Sequence, residues 1–100
     1  MRYQVRERME WIEGYLFVYG KLNRSNLMSW WGISKPQAST DIKRYIELAP
    51  NNIRYNKTER CYEKHPHFKF KLVPDESQGY LVFRKRAKQF NQYDSNPRQG

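Results

Sequence analysis

The sequence predicts a mainly helical α+β domain, three helices followed by a β-hairpin, with a C-terminal extension that is itself helical. Three observations carry this. Apolar residues recur at helical spacing through the first half of the chain. Capping residues divide that half into separate helices. After Pro50 the pattern shifts to the short, turn-bounded runs of strands.

In the first helix, residues 2–19, Val5, Met9, Ile12, Leu16 and Tyr19 form one apolar stripe, and Gly20 sits where a left-handed C-terminal cap belongs. Asn23 is placed to cap a short second helix through "RSNLMSWW", whose apolar face is Leu27, Trp30 and Trp31. Gly32 ends it, and Ile33 anchors the turn that follows. Ser34 and Gln37 have the spacing of a capping box, and Pro36 falls in the first turn, where a missing N–H costs nothing. The third helix runs over residues 35–48 and stops at Ala49-Pro50, because a residue before proline is driven out of the helical region.

Beyond "PNN", "IRYN" and "RCYE" read as two strands joined by "KTE". "HFKFKL" alternates, with Phe68, Phe70 and Leu72 on one side, and reads as a third strand or an extended arm. Over 74–90, Tyr80, Phe83, Ala87 and Phe90 keep helical spacing, with Asp75 and Glu76 near the start and cations near the end. Against this, "GYLVF" has strand composition and Gly79 weakens a helix; the helix is favoured. Residues 91–100 read as a disordered tail.

The 100 residues hold 19 Lys and Arg against 10 acidic residues, a formal net charge of +9, which points to a polyanionic partner. Absence of a long apolar run excludes a membrane span, and the charged N-terminus is no signal peptide, so a cytoplasmic protein is expected. The single cysteine, Cys61, excludes an internal disulfide and reads as a half-buried hydrophobe. Cys61, His65 and His67 with Glu63 lack the paired spacing and ligand count of a structural zinc site. With no glycine-rich phosphate loop, nucleophile elbow or helix-borne histidine pair, no enzyme and no cofactor are expected.

Helix, short helix, turn, helix, basic hairpin is the layout of a winged helix-turn-helix, here spanning residues 2–73. That layout holds the third helix proud of the surface, where it fits the major groove of duplex DNA. Projected at the helical repeat, Ala38, Ile42, Tyr45 and Ile46 share one side of it. Pro36, Gln37, Thr40, Lys43, Arg44 and Glu47 fall on the other, with Ser39 and Asp41 at the borders. Gln pairs bidentately with adenine, and Lys or Arg with guanine, so Gln37, Thr40 and Lys43 are the expected base readers, supported by Lys35 and Ser39. From Arg54 to Lys71 six cations face two carboxylates, a net +4. Arg54, Lys57 and Arg60 in the hairpin are expected on phosphates, which position a protein without choosing sequence. Tyr55 and Tyr62 are expected on the hairpin's inner face.

Residues 11–63 carry a more specific signal: "GKLNR" at 20–24, "WGIS" at 31–34, Pro36, Gln37, Ala38, Ser39 and Asp41, then "YIELAP" at 45–50, and Ile53, Tyr55, Cys61 and Tyr62. This run resembles the N-terminal winged-helix domain of WYL-domain, DeoR-like bacterial transcriptional regulators associated with BREX and CBASS anti-phage defence. The resemblance implies a homodimeric repressor on an inverted-repeat operator, acting on phage-defence or mobile-element genes, with Ser34, Lys35, Pro36, Gln37, Ser39, Thr40 and Lys43 facing the major groove. In that family a WYL domain and a dimerisation extension follow. Neither lies in these residues, so the chain is either a fragment of a longer regulator or a stand-alone relative, and ligand sensing is not carried over. Dimerisation is then expected from the helices at hand, with 74–90 and one of the three tryptophans at the contact. The basic run at 84–90 is either a further phosphate contact or the polar face of a dimer helix. Two other readings of the charge and the aromatics are a protein-interaction module and a non-specific nucleic-acid binder. A single-strand binder ranks lower, because no sheet presents paired aromatics beside glycines.

Overall fold

Three helices and three short strands make up the computed structural model, which describes residues 2–73. They are α1 (Tyr3–Tyr19), β1 (Lys21–Leu22), α2 (Arg24–Trp31), α3 (Lys35–Leu48), β2 (Ile53–Asn56) and β3 (Cys61–Lys64). This is the mainly helical winged helix-turn-helix that the sequence predicts. The helix expected over 74–90 and the tail over 91–100 lie outside the described residues.

Two glycines make the sharp turns between helices. Gly20 (φ +78°) and Gly32 (φ +65°) are left-handed, and their amides close α1 on the Leu16 carbonyl at 2.8 Å and α2 on the Met28 carbonyl at 2.9 Å. A side chain at either position would be strained by that backbone conformation. Asn23 caps α2 in a reciprocal box with Asn26: each side-chain oxygen accepts the other's backbone N–H, at 3.3 and 2.8 Å. At α3 only half of the expected box forms. The Gln37 amide donates to Ser34 Oγ at 3.2 Å, but the Gln37 side chain turns instead to Asp41 at 2.9 Å. An ionised acceptor attracts an amide N–H more strongly than a backbone group does.

The strands form one antiparallel sheet in the order β1-β3-β2. β2 and β3 are the expected hairpin, in register from Ile53 opposite Lys64 to Asn56 opposite Cys61. Its loop is Lys57–Arg60 rather than "KTE": Asn56 Oδ1 accepts the amides of Thr58 and Glu59, each at 3.0 Å, and Arg60 takes φ +57°. The two-residue β1, absent from the sequence reading, pairs Leu22 with Tyr62 and ties the α1–α2 connection to the wing. "HFKFKL" is the extended arm and not a third strand. Four amides from here to Val73 go to side chains: Lys69 N–H to Asn52 Oδ1 at 2.8 Å, and those of Lys71, Leu72 and Val73 to the Glu13 carboxylate at 3.0–3.2 Å.

Met9, Trp11, Ile12, Leu16, Leu22, Leu27, Ala38, Ile42, Tyr45, Ala49 and Ile53 make the core. Two sequence expectations, for Tyr19 and Asp41, are corrected by it. Tyr19 ends the α1 stripe 60% exposed, because the stripe drifts around the helix and Trp11 takes the inward position. Trp30 and Trp31 pack half-buried against the core as the expected apolar face of α2, their rings 5.3 and 6.4 Å from that of Trp11. Asp41, expected on the surface, is fully buried beneath α1, where Arg8 Nε donates to it at 2.6 Å. Tyr55 shares the helix-facing side of the hairpin with Tyr62 as expected, half exposed and edge-on to that ring at 4.9 Å.

Candidate nucleic-acid interface

The outer side of α3, the start of α2 and the hairpin enclose one open groove. It holds about 400 Å³ and is lined by Asn23, Arg24, Ser39, Ile42, Lys43, Ile46, Tyr55, Arg60 and Tyr62. Its floor is apolar where Ile42 and Ile46 back onto the core. Its walls carry three guanidinium or ammonium groups, from Arg24, Lys43 and Arg60. No carboxylate lines it, so the walls attract anions.

The hairpin and helix positions explain how these groups meet. Tyr55 and Tyr62 are a cross-strand pair on the face of the sheet turned to α3. Their rings hold the wing beside the helix, and the left-handed Arg60 turns the loop back toward Lys43. Arg24 reaches across from the first turn of α2 and donates to Ser39 Oγ at 3.3 Å. A cation there opposes the helix dipole, so helix stability is no reason for it.

The eleven residues expected at the interface are distributed unevenly. Ser39, Lys43 and Arg60 line the groove itself. Ser34, Lys35, Pro36 and Thr40 are exposed along the N-terminal half of α3, the part that leads away from the turn. Thr40 returns its hydroxyl hydrogen to the Pro36 carbonyl at 3.0 Å, which leaves its methyl group and oxygen lone pairs outward. Gln37 is half-buried, with its amide nitrogen on Asp41. Lys57 is exposed in the hairpin loop. Arg54 lies away from the groove and is paired with Glu63, Nε to Oε1 at 2.9 Å. Hydrogen bonds from Asn56 and Arg54 hold the Glu63 carboxyl below its usual range. Arg44 also stands apart, in a separate depression with Arg2, Val5 and Leu48 on the α1 side of α3.

Arg24 and Tyr55 are groove residues that the sequence reading did not choose. The signal for Arg24 was present, a basic residue at the first position of a helix already capped by Asn23. A buried feature was also missed. Tyr45 on the inner side of α3 donates its hydroxyl to Glu13 at 2.7 Å and accepts from Asn52 Nδ2 at 3.0 Å. Burial, and then the charge on Glu13, push the Tyr45 phenol far above its ordinary range.

Among the described residues no helix is long and apolar enough to cross a membrane. Residues 4–86 match the BrxR transcriptional regulator winged helix-turn-helix domain. Over 81 residues, 81% of the chain, the sequence is 37% identical to a DNA-binding transcriptional repressor CapW of Stenotrophomonas maltophilia. It is 38% identical over 80 residues to the protein of that name from Pseudomonas aeruginosa, and 43% identical over 61 residues to the one from Escherichia coli. The chain spans only 20–27% of the length of these relatives. The match runs from the second residue of α1 through β3, and the chain belongs to the BrxR family of winged helix-turn-helix domains of transcriptional regulators.

Proposed function

We propose that the chain binds duplex DNA in a sequence-specific way and acts as a transcriptional repressor, with α3 in the major groove and the hairpin on the phosphate backbone. The observation that carries this is the carboxylate-free groove between α3 and the wing, where Arg24, Lys43 and Arg60 converge beside an exposed helix N-terminus. The fold supplies the docking geometry, and the relatives named as DNA-binding repressors support the same reading. Lys43 and Arg60 then sit at the boundary between base edges and phosphates, Lys57 on phosphate, and Gln37 and Thr40 over bases. A homodimer on an inverted repeat, regulating defence or mobile-element genes, extends the proposal on the strength of the motif resemblance.

Selection of bound sites from random duplexes tests it. An enriched motif with two-fold symmetry supports both DNA reading and dimerisation, and its half-site spacing gives the separation of the two α3 helices. An enriched motif without symmetry removes the dimer. Duplex binding with no enrichment favours a non-specific nucleic-acid binder. No binding at low salt removes the proposal in favour of a protein-interaction module. Lys57→Ala is expected to weaken all sequences alike, whereas Gln37→Ala is expected to relax one position at a cost of about 1–3 kcal/mol.

A further inference from the structure

Gln37 is chemically oriented from beneath. Its Nε2 donates to Asp41 Oδ1 at 2.9 Å, and Asp41 is fully buried one helical turn along α3. The same carboxylate accepts from Arg8 of α1, with Nε on Oδ2 at 2.6 Å and Nη2 on Oδ1 at 3.3 Å. A carboxylate paired with a guanidinium has only acceptor positions to offer. The group of Gln37 turned toward it must therefore be the NH₂ and not the carbonyl. A flipped amide would set two acceptors against each other in a buried site, and Arg8 keeps the carboxylate from turning away.

We propose that Asp41, clamped by Arg8, is a specificity-determining residue that acts through Gln37. It fixes the amide with nitrogen inward, so Oε1 and one remaining N–H are left for the major groove. This rests on the reading of α3 as the helix that enters that groove. A leading carbonyl oxygen selects a base with a hydrogen-bond donor on its major-groove edge. Adenine offers N6–H₂ and cytosine N4–H₂, whereas guanine and thymine present only acceptors among their hydrogen-bonding groups there. For adenine the remaining N–H also reaches N7. Gln37 therefore selects adenine or cytosine on the strand it reads, and Asp41 is the reason. Asp41 itself never touches the nucleic acid, and its effect belongs to one base position.

The test compares motifs selected from random duplexes by the wild-type chain, Gln37→Ala and Asp41→Asn. Asparagine conserves shape but offers both a donor and an acceptor, so the Gln37 amide is free to take either orientation. In the wild type, the preference that Gln37→Ala relaxes is expected to need one exocyclic amino group in the major groove, so replacing that adenine or cytosine by its analogue lacking the N6 or N4 amino group removes it. Asp41→Asn is expected to admit guanine or thymine there, cutting the preference about tenfold with the other positions unchanged, the scale of one good base contact. A Gln37-dependent preference that survives loss of that amino group overturns the proposal, even if Asp41→Asn fails to fold. So does a folded Asp41→Asn that keeps the wild-type preference, or one that weakens every position equally. If Gln37→Ala leaves the motif intact, Asp41 and Gln37 both lose their assigned roles while duplex reading stands. If the wild type binds no duplex, the broader function falls with them.

Discussion

The two sides of α3 treat polar groups in opposite ways. Inward, Tyr45 joins Glu13, Asn52 and the 69–73 arm in a network that satisfies the buried carboxylate several times over. Outward, Lys43 and the neighbouring Arg60 face an open groove with no carboxylate on its walls. Burial explains the difference. An unpaired polar group inside costs its full desolvation, whereas water satisfies one outside until a ligand replaces it. The inner side is thus built for stability and the outer side for exchange. Substitutions should separate the two, inner ones moving the unfolding midpoint and outer ones the affinity.

The largest break is expected from Glu13→Ala. It leaves the Tyr45 hydroxyl and the Lys71, Leu72 and Val73 amides without their acceptor and opens a cavity, for a loss of about 4 kcal/mol. Glu13→Gln keeps the volume and one acceptor oxygen, so roughly half of that loss is expected. Urea unfolding measures both, and a midpoint unchanged by Glu13→Ala would mean that the arm is not held this way. At a temperature where Glu13→Gln is still folded, its DNA affinity is expected to match wild type.

A smaller effect appears only in alkali. Burial and Glu13 raise the Tyr45 phenol, so the folded protein holds that proton more tightly than the unfolded chain does. Below pH of about 10 both states are protonated and no difference arises. As pH climbs past that, the unfolded chain ionises while the folded one does not, and stability falls. Tyr45→Phe should cost about 1 kcal/mol at pH 7, by removing the hydroxyl bridge, and should flatten the decline above pH 10. Chemical unfolding at pH 7 and pH 11 checks the sign; equal declines in both proteins would mean that Tyr45 ionises freely.

Much of the outward side was legible in the sequence. Capping residues and turns are local chemistry, so Gly20, Asn23, Gly32, Ser34 and the Ala49-Pro50 stop each appear in the structure where they were expected. Helical spacing likewise separated Lys43 and Thr40 from Ile42 and Tyr45. The inward polar network was not legible, because Glu13, Asp41 and Asn52 look like surface residues until their partners, up to 60 positions away, are known. Arg44 illustrates the limit of a helical projection, which separates core from surface but does not say which part of the surface faces the wing. β1 was too short for any periodic signal, and it exists because β3 offers it an edge.

The smallest expected effect on folding, and the clearest on binding, belongs to Lys43→Ala. Its side chain is exposed in a groove wall, so the unfolding midpoint should move by less than about 0.5 kcal/mol. If Lys43 neutralises one phosphate, the slope of log affinity against log salt should fall by about 1, and affinity should drop for every duplex tested. If it reads guanine instead, the slope should hold and the loss should be confined to duplexes carrying that base. A titration over several salt concentrations, with the selected site and a scrambled duplex, distinguishes these outcomes. A change in midpoint as large as that of Tyr45→Phe would instead assign Lys43 to the inner side of the comparison. That would remove the groove as the place where this helix meets its ligand.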